Sequence, residues 1–259
     1  MSGFSLTYRL VQFDEASKHD KAFEKAINIY FNETAPEIRT DPDEIRRCRF
    51  NYSDKYHQNK IVQFGLFMDK EVIGFSRLAH FHLERVIFID YVTISKEYRR
   101  WNTFYSFIDL MRGYVHQTGL MYDFIVTEIA YLSQDGTPAL ESRALVRKLK
   151  SQGFLVADYP YEQPQLGVHT PETQMRAWLL ISPRREEVDG LPSATFKKIV
   201  NTTYCDHYLK WYELMLKKDD VEEYVKIINF LSEDLGKKLK KRTFVKLIRY
   251  RDVGGRHGF

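Results

Sequence analysis

Residues 85–107 read RVIFIDYVTISKEYRRWNTFYSF. Up to Ile94 the segment is rich in β-branched and aromatic side chains, the composition of a buried strand. Arg99, Arg100, Trp101, Asn102, Thr103 and Phe104 then make a cationic turn, and a helix opens out of it. The leading amides of a helix have no intrahelical partner, and the helix dipole favours negative charge there. A strand that ends in a basic turn at a helix N-terminus is therefore suited to an anionic group such as a diphosphate.

Outward from this segment, the periodicity predicts seven strands over 6–13, 61–68, 72–81, 85–94, 121–130, 154–159 and 175–181. Asp69-Lys70 supplies the tight turn of a hairpin. Helices are expected over 21–31, from Asp41-Pro42, over 103–117 and over 140–152. Asp41 is the N-cap of the second, with Pro42 at the first helical position. Gly119 and Gly153 are placed to end the third and fourth. After Ser182-Pro183 the chain turns charged and irregular, and two amphipathic helices over 193–216 and 219–235 are expected. The boundary predicts a domain over 1–183 and a helical appendage over 184–259 with a basic tail, mobile at its glycine-rich end.

The strand, turn and helix of 85–107 resemble the cofactor-binding segment of the GNAT superfamily of N-acetyltransferases, bacterial type, whose strand ends in Val before Arg-x-x-Gly-x-Gly/Ala. Ile94 takes the Val place and Arg99 the Arg place, while Asn102 and Phe104 stand at the glycines. Asn is the next best residue at positive φ, and Phe104 also falls on the apolar stripe of the helix. The order of elements over residues 6–181 is similar as well. The resemblance implies an α+β fold with a mixed, mostly antiparallel seven-stranded sheet flanked by helices, plus the C-terminal helices. It further implies acyl transfer from acetyl-CoA or another acyl-CoA to a primary amine, without a metal. The pantetheine arm and thioester carbonyl would meet the backbone of Val92, Thr93 and Ile94. The diphosphate would meet Arg99, Arg100, Trp101, Asn102, Thr103, Phe104 and Tyr105.

Acyl transfer needs a proton acceptor for the amine and a donor for the thiolate. Asp90 is the first candidate base, because a carboxylate in an apolar strand is costly unless paired or useful. Two readings of it stay open: a base, or a partner of a backbone N–H or of an arginine such as Arg77. Glu84 and Glu128 are the reserves. The tyrosine that many GNAT enzymes carry four residues before the Gly of a Gly-Phe pair is replaced here by Leu149, ahead of Gly153-Phe154. Tyr159 and Tyr161, in DYPYEQP, are the candidate acids, and solvent could also protonate a thiolate.

His80 and His82 share a strand face with no third ligand at metal-binding spacing. Tyr204, His207, Tyr208 and Trp211 read as a packing face of the appendage, and KKLKKR at 237–242 as a solvated helix end. The net charge of +4 permits an anionic partner without demanding nucleic acid. No apolar run reaches the ~20 residues of a membrane span. The start of the chain has no signal-peptide pattern, and two distant cysteines, Cys48 and Cys205, fit reduced thiols in the cytoplasm. The rival expectation is a cofactor-free, GNAT-shaped binding protein that holds RNA or an acidic protein partner through the basic tail. An acyltransferase whose acceptor is a macromolecule held by that tail combines the two.

Overall fold

The computed structural model describes residues 7–13, 20–47, 59–99, 101–132, 137–164, 175–184, 188–210 and 218–248. Ten strands form a mixed sheet: β1 (Tyr8–Phe13), β2 (Asn59–Met68), β3 (Glu71–Phe81), β4 (Val86–Ile94), β5 (Phe124–Ala130), β6 (Leu155–Ala157), β7 (Tyr161–Gln163), β8 (Met175–Pro183), β9 (Gly190–Pro192) and β10 (Phe244–Ile248). Their hydrogen-bonding order is β1-β2-β3-β4-β5-β8-β6-β10-β9, with β7 also beside β8. Helices are α1 (Asp20–Glu33), α2 (42–47), α3 (Trp101–Gln117), α4 (Leu140–Ser151), α5 (Ser193–Asn201) and α6 (Lys218–Leu239). By contacts the chain divides into two compact units. One spans Met1–His80 with Ile89–Met121, the other Phe81–Phe88 with Tyr122–Phe259.

In the first unit, β1 and β2 pair antiparallel from Tyr8↔Met68 to Phe13↔Gln63. Asp69 turns the β2–β3 hairpin at φ 54, a left-handed conformation that Asp tolerates. α3 buries Phe104, Phe107, Ile108, Met111 and Val115 on one stripe. Each such side chain contributes roughly 1.5–3 kcal/mol on leaving water. Gly119 ends this helix at φ 66, and the Leu120 N–H closes on the Val115 carbonyl. The Asp41 carboxylate caps α2 by accepting from the Asp43 N–H at 2.7 Å.

In the second unit, β4 enters parallel to β5 over Val86↔Phe124 to Phe88↔Val126. β8 pairs antiparallel with β5 from Phe124↔Pro183 to Ala130↔Ala177. α4 ends at Gly153, φ 79, as its glycine predicts.

The sheet has ten strands rather than the expected seven, because β7, β9 and β10 are too short for a period of two to register in the sequence. β10 corrects the expectation of an appendage made only of helices. Part of the basic tail, Phe244–Ile248, is a strand that pairs β6 on one edge and β9 on the other. The helix expected over 193–216 is α-helical only to Asn201, and Thr202–Leu209 is a π-helix. Its continuation, and the chain beyond Ile248, lie outside the described residues.

Candidate active site

The first unit carries the strand, turn and helix of the quoted segment. Past Ile94, the Ser95 N–H still donates to the Ile73 carbonyl at 2.9 Å, so the register with β3 holds to the end of β4. A 3-10 turn, Lys96–Tyr98, then redirects the chain into α3. No acidic residue lies in the first turn of α3, so no local carboxylate neutralises the positive end of this helix. Thr103 is buried with its hydroxyl 3.0 Å from that of Tyr8. Phe104 is buried on the apolar stripe, so the bulk that replaces glycine turns inward. Gly74 of β3 permits a close approach. A Cβ there would stand 2.7 Å from the Thr93 carbonyl oxygen. The Thr93 hydroxyl lies 3.2 Å from that of Thr34.

Arg99 is held rather than waiting. Its Nε donates to the Ile94 carbonyl at 3.0 Å, and Nη2 pairs with Glu33 at 2.5 Å. Glu33 also accepts the Lys96 N–H at 3.1 Å. The last residue of α1 thus anchors both ends of the 3-10 turn. Glu33 carries no local signal, since only the fold links it to a turn 66 positions away. Asn102 and Tyr105 follow on α3, whereas Arg100 and the Trp101 side chain lie outside the described residues.

Asp90 lies in the same unit. Its carboxylate pairs with Arg77, both side chains being almost wholly enclosed at 4% and 1% exposure. The Arg77 guanidinium lies 4.9 Å over the Tyr91 ring. The Tyr91 and Thr40 hydroxyls are 2.7 Å apart, and the Thr40 N–H donates to the Tyr30 hydroxyl at 2.7 Å. Burial above all pushes the Tyr91 and Tyr30 hydroxyls up, so both stay protonated. Glu44 of α2, which the sequence reading passed over, is pushed up by burial first and by Asp41 next, against Arg77 and Arg47. Its Oε2 is enclosed and accepts no hydrogen bond among the described residues.

The other candidates lie in the second unit. Glu84 sits in the turn between β3 and β4. By the β4–β5 register it is six residues, about 20 Å, from the level of Glu128. Glu128 and Tyr161 flank β8 opposite Leu179 and Ala177, and those four residues share one face. The small Ala177 leaves room for the Tyr161 phenol to reach the Glu128 carboxylate, to which it donates a short hydrogen bond. A second phenol, Tyr208 of the π-helix, donates to the other oxygen of Glu128. Burial first, and the Glu128 charge next, push Tyr161 well above the usual phenol range. Tyr159 is elsewhere: its ring packs 5.1 Å from Phe196 and lies under Arg242. Burial first pushes its hydroxyl up to about 12.

No family model and no curated protein matches the chain. Solved structures do. A protein described as a GNAT-family acetyltransferase from Bacteroides thetaiotaomicron superposes with a TM-score of 0.51 at 13% identity, over 75% of this chain and 96% of that one. An acetyl transferase from Salmonella typhimurium, described as modifying the N-terminal serine of 50S ribosomal subunit protein L7/L12, superposes with a TM-score of 0.51 at 12% identity. It covers 70% of this chain and 97% of that one. The chain has the GNAT N-acetyltransferase fold.

Proposed function

We propose that the protein is an N-acyltransferase that moves an acetyl or other acyl group from acyl-CoA to a primary amine. The observation that carries the reading is β4, which runs through a tight turn into the N-terminus of α3 within the GNAT fold. In this reading the backbone of Val92, Thr93 and Ile94 meets the pantetheine arm and the thioester carbonyl. Arg99, Arg100 and the leading amides of α3, from Trp101 to Tyr105, meet the diphosphate. No helix among the described residues is long and apolar enough to cross a membrane.

The amine nitrogen attacks the thioester carbon, the C–N bond forms, the C–S bond breaks, and the amine loses a proton. Between the candidate bases, burial beside Arg77 supports a structural role for Asp90, since an ion pair enclosed on both sides has no capacity left for substrate. Glu128, in the second unit, accepts hydrogen bonds from the Tyr161 and Tyr208 hydroxyls. The variants Asp90→Asn and Glu128→Gln test which carboxylate takes the amine's proton, and solvent protonates the thiolate.

One observation favours the rival, a cofactor-free binding protein: Arg99 is already bound to Glu33. Isothermal titration with acetyl-CoA separates the two. Saturable binding, followed by thiol release with a panel of polyamines, aminoglycosides and peptide N-termini, supports the transferase. No heat at millimolar acetyl-CoA overturns it.

A further inference from the structure

One carboxylate of the first unit sits among donors suited to a phosphate. Glu33 is the last residue of α1, and its two oxygens go to two kinds of donor. Oε2 pairs with Arg99 Nη2 at 2.5 Å, and Oε1 accepts the Lys96 backbone N–H at 3.1 Å. A guanidinium and a main-chain N–H at the entrance to a helix are also what a phosphate group takes. Carboxylate and phosphate present oxygens to a guanidinium in the same planar fork, so Glu33 imitates a bound phosphate.

The seat does not depend on this occupant. Arg99 Nε donates to the Ile94 carbonyl at 3.0 Å, which keeps the guanidinium at the end of β4 when Glu33 leaves. The turn has anchors of its own as well. The Ser95 N–H donates to the Ile73 carbonyl at 2.9 Å, and the Tyr98 hydroxyl donates to Glu71 at 2.8 Å. Solvent reaches the pair, with the Arg99 side chain 45% exposed and that of Glu33 21% exposed. A pair so exposed is weak, and an anion of higher charge can displace the carboxylate. No acidic residue in the first turn of α3 opposes that anion.

We propose that Glu33 is a resident competitor for the diphosphate seat: its carboxylate holds Arg99 in the free protein, gives way when the cofactor binds, and returns when CoA leaves. The contact lowers the affinity for acetyl-CoA and for product CoA by the same factor, because both carry the diphosphate. It leaves the amine unaffected. This rests on the reading of the protein as an N-acyltransferase with the diphosphate at Arg99, and the two claims come apart in experiment.

The test uses the full-length chain with Glu33→Gln, which keeps an oxygen for the Lys96 N–H and removes the charge. Glu71→Gln is the control. It removes the same charge beside the same turn, where Glu71 meets Tyr98 and Lys25 instead of Arg99. By calorimetry, Glu33→Gln should bind acetyl-CoA, CoA and inorganic pyrophosphate about two- to fivefold more tightly than the wild type, the gain expected on removing an exposed competing pair. Glu71→Gln should match the wild type. Spectra of protein labelled with ¹⁵N at arginine side chains give a second readout that needs no turnover. The resonance lost in Arg99→Ala should move in Glu33→Gln, and in the wild type on addition of pyrophosphate. Acetyl-CoA binding no tighter in Glu33→Gln, or equal tightening in Glu71→Gln, would overturn the competition and leave the transferase reading standing. Tightening in Glu33→Gln alone, with no acyl transfer to any amine, would overturn the transferase reading and leave the exchange at Arg99 standing. No binding of acetyl-CoA by either protein would overturn both.

Discussion

Asp90 and Glu128 are both carboxylates set among apolar neighbours in the sheet, and the molecule treats them in opposite ways. Asp90 faces a guanidinium, Arg77, at almost complete burial. Glu128 accepts from two phenols, Tyr161 and Tyr208. A cation cancels the charge and turns the pair into a fixed strut. Phenol donors orient a carboxylate by hydrogen bonds instead. An acidic residue in a strand is thus informative about chemistry only once its partner is known.

The largest effect is expected where the charges cancel. Arg77→Met leaves Asp90 enclosed without its cation and should cost about 3–5 kcal/mol of stability, read by chemical denaturation. Replacing both partners, Arg77→Met with Asp90→Leu, should recover most of that loss. If the single variant is as stable as the wild type, the two carboxylates are not the different devices described above.

Next comes the catalytic half. Glu128→Gln should lower turnover roughly 10²–10⁴-fold with acetyl-CoA affinity kept, as expected of a lost general base. Asp90→Asn should do the reverse, losing thermal stability and keeping activity per folded molecule. Wild-type turnover in Glu128→Gln, with a collapse in a folded Asp90→Asn, would exchange the two assignments.

The sequence carried the fold well and the partners poorly. The strand, cationic turn and helix of 85–107, the hairpin at Asp69-Lys70 and the helix stops at Gly119 and Gly153 are local signals, set by side-chain period and backbone conformation. Partners across the sheet are not local. Tyr208 meets Glu128 across 80 positions, and its neighbours Tyr204 and His207 carry the apolar pattern of an ordinary packing face. Only one cue pointed further: Thr202-Thr203, β-branched and able to bond back to the preceding turn, sits where the helix changes register. β10 escaped because lysines dominate the stretch leading into it, and its five residues show only brief alternation. Arg77 was legible as a partner for Asp90, and the structure pairs the two.

The exposed pair Glu33–Arg99 is a third variant, a cation partner without the enclosure. Solvent on both side chains makes it separable, so Arg99 can exchange Glu33 for phosphate. Arg99→Ala should weaken acetyl-CoA binding about tenfold by titration calorimetry. Glu33→Gln, which removes a competing carboxylate, should tighten it a few-fold. Equal affinities in both variants would put the diphosphate away from Arg99.

The smallest effect is expected at Glu44, whose Oε2 is enclosed and accepts no hydrogen bond among the described residues. Burial raises its folded pKa, with Asp41 adding to the rise and Arg77 and Arg47 opposing it. A raised folded value means that the native state holds this proton more tightly than the unfolded chain does. Its favourable contribution is complete below the unfolded carboxylate value of about 4.3 and is lost as pH rises through the folded value. Glu44→Gln keeps the shape and removes the ionisation. The variant should therefore melt above the wild type at pH 7.5, and the gap should close as the pH falls toward 4. A variant that melts below the wild type at pH 7.5, with the gap narrowing in acid, would show that Arg77 and Arg47 outweigh burial. Glu44 would then join Asp90 among the carboxylates that a cation holds.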